Sequence, residues 1–376
     1  MVSEMYLKRK SLFVIDVLLL VIIIGIPVHL LISLFDVLKD ISEYSVGSMP
    51  ISYVLYIKGF VHILLELVCV GFYLLLGKKK KSNKEHTMAF YIRKIIIKYP
   101  KISIVAGLGA ILFIALFMIY QIQNHIVYYP TYAKGAEEFL KNDSAFTKIE
   151  IAGENGKGYV GWLHKAEEKS HATIVYFGGN AESSAVLMRT LEANHLWEVF
   201  KGYNFLMVDY PGYGQSDGEP GSDSIFEMSH RVMEYVKNDM ALNQKIIVMG
   251  FSLGTGVASY AASEYEVDGL ILLAPYDSMR NVYNANLNIF YGPMNYLIRN
   301  KYESMDYAKK ITADTLIIAS EDDEVIPFAL SENLVRSFNS YVDFYKVSSV
   351  GHNELFYELN VQEKISEYLA FCMGAE

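Results

Sequence analysis

The pentapeptide Gly250-Phe251-Ser252-Leu253-Gly254 follows an apolar run, Ile246-Ile247-Val248-Met249, and opens a helical pattern over Gly254–Tyr265. A serine between two glycines at a strand-to-helix turn reads as a nucleophile elbow. So sharp a turn leaves no room for side chains two residues to either side, hence Gly250 and Gly254. It lifts the serine oxygen off the sheet and aims it at a helix N-terminus. The bare pattern recurs by chance in many chains. Here strand, helix and the small residues Thr255, Gly256 and Ala258 all agree with it.

A free hydroxyl is a poor nucleophile at neutral pH and needs a base. Of the nine histidines, His29, His62, His86 and His125 lie in or beside the apolar first third, and His164, His171, His195 and His230 precede Ser252. Only His352 follows, in Val350-Gly351-His352-Asn353, which suits the chain order nucleophile, acid, base. The acid is expected where Thr315–Ala319 runs into Ser320-Glu321-Asp322-Asp323-Glu324-Val325-Ile326-Pro327. One carboxylate there should turn inward to orient the imidazole. Asp323 is the choice, by its spacing of four before Pro327, with Asp322 in reserve. Catalysis also needs backbone N–H groups around a developing oxyanion. One is expected from Leu253, the other from Asn180 in Gly178-Gly179-Asn180-Ala181-Glu182. That loop lacks the full dinucleotide fingerprint, and no Walker lysine follows it.

These residues need a frame. Eight β-rich runs recur: Thr147–Ala152, Tyr159–His164, Ala172–Phe177, Phe205–Tyr210, Lys245–Met249, Gly269–Ala274, Thr315–Ala319 and Val342–Val347. Helical patterns fall at Glu182–Phe200, Ser222–Asn238, Gly254–Tyr265, Leu330–Asn339 and Gln362–Cys372. Continuous apolar strands alternating with helices predict an α/β domain over 127–376, with a mostly parallel sheet buried on both faces and an antiparallel edge. A short lid is expected at about 279–314, rich in Tyr, Asn and Met. Two uses are open to it: covering an acyl or aromatic group above Ser252, or packing as a small cap.

The first third is a different object. Hydrophobic residues are 52% of the 376-residue chain and charged residues 20%, below the ~25% of an ordinary soluble domain. Three apolar stretches, at about 12–38, 51–76 and 102–123, are each long enough to cross a bilayer. The first 126 residues carry 14 Lys/Arg against 7 Asp/Glu, and the remainder 19 against 35. The basic loop 77–101 and the N-terminus are expected on the cytoplasmic side, and the domain 127–376 on the far side. Lys78–Lys81 beside a span reads as a topogenic or anionic-lipid element. Lys58, His62 and Glu66 share one helix face and read as a polar seam between helices. An acidic domain without a basic stripe argues against nucleic acid. Two cysteines, Cys69 and Cys372, provide neither a disulfide framework nor a zinc site.

The segments taken together resemble the α/β-hydrolase superfamily, and within it the branch of membrane-anchored serine hydrolases. The resemblance rests on Tyr128-Tyr129-Pro130, Tyr176 to Glu182, Asp209-Tyr210-Pro211-Gly212-Tyr213-Gly214-Gln215-Ser216, the Ser252 elbow, Ala274-Pro275-Tyr276-Asp277-Ser278, Asp323 to Pro327, and Gly351-His352. These cover about residues 126–370 in the family's order. The chain departs from it at Gly178, where a histidine usually stands, and in having three spans rather than one. Asp209 to Ser216 is read as a structural turn beside the site. The resemblance implies a Ser252–His352–Asp323 hydrolase acting on a carboxylic ester or thioester, an acyl lipid among the candidates, with no metal or organic cofactor. A serine peptidase is the nearest alternative. A non-catalytic membrane sensor or partner-binding protein that keeps the fold is the alternative of another class. Protein partners are left open.

Overall fold

The computed structural model describes residues 98–374, apart from 133, 167–169, 239–241, 243, 244 and 287. The chain divides into two compact units, 1–107 and 108–376. The second carries the sheet. Helix α1 (Pro100–Val127) and helix α2 (Lys134–Lys141) lead into it. The strands are β1 (Phe146–Ala152), β2 (Gly158–His164), β3 (Thr173–Phe177), β4 (Asn204–Val208), β5 (Ile246–Phe251), β6 (Gly269–Leu273), β7 (Thr315–Ser320) and β8 (Val342–Val347). Between them lie α3 (Ser184–Ala193), α4 (Ser222–Asn238), α5 (Leu253–Glu264), α6 (Met279–Asn286), α7 (Ser304–Ala308), α8 (Phe328–Val335) and, after β8, α9 (Leu359–Cys372).

The eight strands form one sheet in the order β1-β2-β4-β3-β5-β6-β7-β8. β1 and β2 run antiparallel to their neighbours, and β4 through β8 are parallel. This is the mixed sheet with an antiparallel edge that the run of early strands without helices predicts. All eight expected strands are present. The expected helix 182–200 is instead α3 followed by a separate 3-10 turn, Leu196–Phe200, because His195 enters the left-handed region at φ 58°.

Period-two alternation in the central strands sorts side chains to two cores. Val175, Val248, Leu270, Leu272 and Ile317 face one side, packed by Ile225, Met228 and Val232 of α4 and Val257 and Ala261 of α5. Ile174, Ile247, Met249, Ile271 and Ile318 face the other, packed by Met188 and Leu191 of α3 and Val361, Ile365 and Leu369 of α9. Both faces are therefore covered, as a continuous apolar strand requires. β3 leads by α3 to β4 on one side, and β4 leads by α4 back across to β5 on the other. That reversal makes the carboxyl ends of β3 and β5 a topological switch point, where open α/β sheets hold ligands.

Among the described residues no helix is long and apolar enough to cross a membrane. The expected spans at about 12–38 and 51–76, most of the basic loop 77–101, and the Lys58–His62–Glu66 face lie outside the described residues. The stretch expected as the third span falls on α1.

Candidate active site

The loops at the carboxyl ends of β3, β5, β7 and β8 converge. Ser252 sits between β5 and α5 with φ 50° and ψ −119°, an unusual conformation for a residue bearing a side chain. It is held by its own N–H on Leu273 O at 2.9 Å and by Thr255, whose N–H and Oγ1 reach Ser252 O at 3.0 and 2.6 Å. The flanking glycines are sterically required. A Cβ on Gly250 would lie 2.5 Å from Gly254 O, and one on Gly254 would lie 2.0 Å from Phe177 O.

The three expected side chains form one hydrogen-bonded chain. His352 Nε2 is 2.8 Å from Ser252 Oγ, and His352 Nδ1 is 2.7 Å from Asp323 Oδ2. The Asp323 and His352 side chains are almost wholly buried, and Ser252 is buried too. The other Asp323 oxygen accepts the N–H groups of Val325 and Ile326 at 2.8 and 2.7 Å. Both Asp323 oxygens are thus engaged, one by the imidazole and the other by two backbone N–H groups. Asp322, the reserve choice, instead accepts the Ser349 N–H at 2.6 Å. Glu324 accepts the His352 N–H at 3.0 Å and so fixes the histidine's backbone, a contact not anticipated from the sequence. The Phe251 ring lies against the imidazole, with centroids 5.1 Å apart.

Leu253 opens α5, so its N–H is one of the helix amides without an intrahelical partner. The loop 178–180 lies against this turn. Gly254 abuts Phe177 O and Gly178 O, and a Cβ on Gly179 would lie 2.8 Å from the Phe251 ring. The Asn180 side chain is taken up by scaffolding: its Oδ1 accepts the Tyr129 N–H at 2.9 Å and the Tyr213 O–H at 3.2 Å. Tyr210 O–H binds Gly178 O at 2.7 Å. Thus Tyr129, Tyr210 and Tyr213, from two of the segments that carry the resemblance, all brace this loop.

At Gly178 the space for a side chain is already filled. A Cβ there would lie 2.6 Å from Met207 Cε and 2.9 Å from Glu182 Oε2. Glu182 is half-buried, its carboxylate turned in to accept the Gly179 N–H at 2.8 Å and the Tyr176 O–H at 3.0 Å. Burial raises its pKa, and those two donors oppose the rise. The sequence offers Glu182 only as the end of the loop motif and the start of the helical pattern Glu182–Phe200.

Asp209 holds structure, as its turn motif predicts. It is buried, accepts the Ser184 N–H at 2.6 Å at the start of α3, and abuts Gly214. Burial pushes its pKa up to about 6. Two surface concavities, one beside Glu154, Glu227 and His230 and one beside Ala136, Val186 and Arg189, involve none of the convergent residues. The stretch expected as a lid, about 279–314, holds α6, a 3-10 turn over Gly292–Leu297, and α7. Tyr283, Phe290 and Tyr302 from it are buried in the core, while Tyr291 and Tyr296 are exposed. Among the described residues no His/Cys/Asp/Glu cluster could hold a metal ion.

Residues 172–293 match the family model described as the alpha/beta hydrolase fold. An uncharacterized protein of Mycobacterium tuberculosis is 26% identical over 262 residues, covering 68% of this chain and 88% of that protein. The lysophosphatidylserine lipase ABHD12 of Macaca fascicularis is 26% identical over 239 residues, 55% of this chain and 58% of the lipase. Among solved structures, the Pyrococcus furiosus esterase Pf2001 superposes with a TM-score of 0.51 at 18% identity, over 66% of this chain and 99% of its own. Sheet order, the strand–turn–helix at Ser252 and the family-model match over residues 172–293 together give this chain the α/β-hydrolase fold.

Proposed function

We propose that this chain is a serine hydrolase that cleaves a carboxylic ester or thioester through an acyl-enzyme. The observation that carries the reading is the unbroken relay from Asp323 through His352 to Ser252, at 2.7 and 2.8 Å, on a serine held in elbow geometry. His352 Nε2 takes the Ser252 proton as Oγ attacks the acyl carbonyl. The backbone amides of Leu253 and Asn180 receive the negative charge on the carbonyl oxygen. His352 then gives its proton to the leaving oxygen or sulfur. Water, deprotonated by His352, attacks the acyl-serine and regenerates the enzyme. Asp323 holds the Nδ1–H tautomer and stabilises the imidazolium.

Esters are preferred to peptides because the relative acting on a known bond, ABHD12, is a lipase. An acyl lipid fits the further reading that the domain is tethered to a bilayer. Support for a tether comes from α1. Its residues 102–120 carry no charge, and Leu112, Phe113 and Phe117 stand exposed on it. Exposed apolar side chains on one helix are costly in water, at about 25 cal/mol per Å².

The test is labelling by a fluorophosphonate probe in membranes. Wild type should label, and Ser252→Ala and His352→Ala should not. Absence of labelling on folded wild type would sink the enzymatic reading and leave a binding role for the fold.

A further inference from the structure

The reading of α1 as a tether leaves a question about the domain itself: which of its surfaces meets the lipid. Residues 281–298 contain no charged side chain, although the region 127–376 carries 35 acidic residues against 19 basic. Arg280 and Arg299 bound this stretch. Within it Ile289, Tyr291 and Tyr296 are exposed, Tyr296 by 89%. An anionic domain is repelled from anionic lipid, so an uncharged aromatic surface is where it can approach a bilayer most closely.

This surface is fixed at both ends. At one end Asn284 brackets Phe290, accepting its N–H at 2.8 Å and donating to its carbonyl at 3.1 Å, and the Phe290 ring is buried beside Tyr283. At the other end the segment is clasped to the last turns of α1. Gln123 is 2% exposed; its Nε2 donates to Leu297 O at 2.6 Å and its Oε1 accepts the Arg299 N–H at 2.9 Å. Asn300 Nδ2 donates to Asn124 Oδ1 at 2.9 Å. Tyr128 donates to Asn300 Oδ1 at 3.0 Å and shares a hydrogen bond with Tyr302 at 2.9 Å.

The clasp sits where α1 changes character. The apolar run ends at Tyr120, and the polar residues Gln121, Gln123, Asn124 and His125 follow. Arg299 stacks over the Tyr120 ring at 5.5 Å and reaches Gln121 Oε1 at 3.3 Å. Tyrosine and arginine at the end of an apolar helix mark the headgroup level of a membrane. Tyr291 and Tyr296 are tied to that level by the Gln123 clasp.

We infer that residues 288–299 form an interfacial docking surface for a lipid bilayer, held against the membrane by α1 so that acyl substrates are presented from the bilayer and not from solution. The inference rests on the tethered-hydrolase reading.

The test uses the full chain reconstituted in phosphatidylcholine vesicles. Tyr291→Ser with Tyr296→Ser alters two exposed side chains away from the relay. The double variant should hydrolyse p-nitrophenyl butyrate in solution at the wild-type rate, and should lose about tenfold on a fluorogenic long-chain ester carried in the vesicles. Independently, Tyr296→Trp should add a fluorescence signal quenched by brominated lipid. Equal rates of double variant and wild type on both esters, or a Tyr296→Trp signal that brominated lipid does not quench, would overturn the docking surface. Failure of the underlying reading looks different: no hydrolysis of either ester by wild type, or full-length protein that does not float with the vesicles.

Discussion

His352 Nε2 lies 2.8 Å from Ser252 Oγ across 100 residues of chain. The approach is produced by parallel strand pairing. β5, β6, β7 and β8 are successive neighbours, so the loops at their carboxyl ends emerge side by side. The last two loops are then laced together. Ser320 Oγ donates to Val350 O at 2.5 Å, Asp322 takes the Ser349 N–H and Glu324 the His352 N–H. Three polar contacts around the Asp323–His352 bond mean that the imidazole is positioned by its backbone as well as by its partner.

Replacing Asp323 tests the tautomer argument. In Asp323→Asn the oxygen can still receive Val325 and Ile326, which leaves the amide NH₂ facing His352 Nδ1. Nδ1 must then accept, so Nε2 carries the proton and can no longer take one from Ser252. The variant should fold normally and lose about 10³–10⁴-fold in kcat at neutral pH. Asp322→Asn, by contrast, should stay within about threefold, since its carboxylate serves only Ser349. Parallel steady-state assays of the two variants decide between the neighbouring acids.

Strain at the elbow should be measurable as stability. Ser252 holds φ 50°, and such backbone costs on the order of 1–3 kcal/mol for a residue with a Cβ. Ser252→Ala retains the Cβ and the strain; Ser252→Gly removes both. Part of the gain is offset by glycine's greater freedom in the unfolded chain. The glycine variant should therefore be the more stable of two inactive proteins by about 1 kcal/mol. Denaturant midpoints for the pair test this, and equal midpoints would mean that the elbow stores no such strain.

Much of this arrangement was legible in the residues. Apolar runs such as Leu270-Ile271-Leu272-Leu273 suit strands covered on both faces, and the glycines at 250 and 254 announce the turn between β5 and α5. His352 was singled out because no other histidine follows Ser252. The acidic cluster was harder, because four carboxylates in a row look alike until the fold turns them. Spacing before Pro327 favours Asp323, and the packing then separates it, on the imidazole, from Asp322 on Ser349 and Glu324 on the His352 backbone. Glu182 was illegible for a related reason. Its importance comes from Gly178, whose missing side chain leaves space that the sequence does not reveal to be filled from four residues away.

That substitution of one brace for another makes a kinetic prediction. Glu182→Ala leaves the Gly179 N–H and the Tyr176 O–H without their acceptor, at a cost of about 1–3 kcal/mol. The loop bearing Asn180 would loosen, so the loss should fall on the transition state. We expect kcat to drop by about 10–100-fold with KM within about twofold. Glu182→Gln keeps an acceptor oxygen and should recover most of the activity. A fall in KM-dependent binding alone, or no rescue by glutamine, would assign Glu182 a different role.

Asp209 predicts a pH dependence of stability that has the opposite sign to that of a paired carboxylate. Burial raises its pKa in the folded protein from 3.8 to about 6. Between those values the folded state binds more protons than the unfolded state, so this group's contribution is full below pH ~4 and is lost as pH rises through ~6. The span of that loss is on the order of 2–3 kcal/mol at 1.36 kcal/mol per unit. Asp209→Asn carries no ionisation and should lack the slope. Its absolute stability is a poor readout, because an amide NH₂ meets the Ser184 N–H less well than a carboxylate does. The difference between wild type and variant is the sharper measure: it should move in the variant's favour from pH 4 to pH 6 and then level off. A difference that stayed flat over that range would mean that Asp209 is already ionised in the fold at pH 4, stabilised by Ser184 more strongly than burial opposes it.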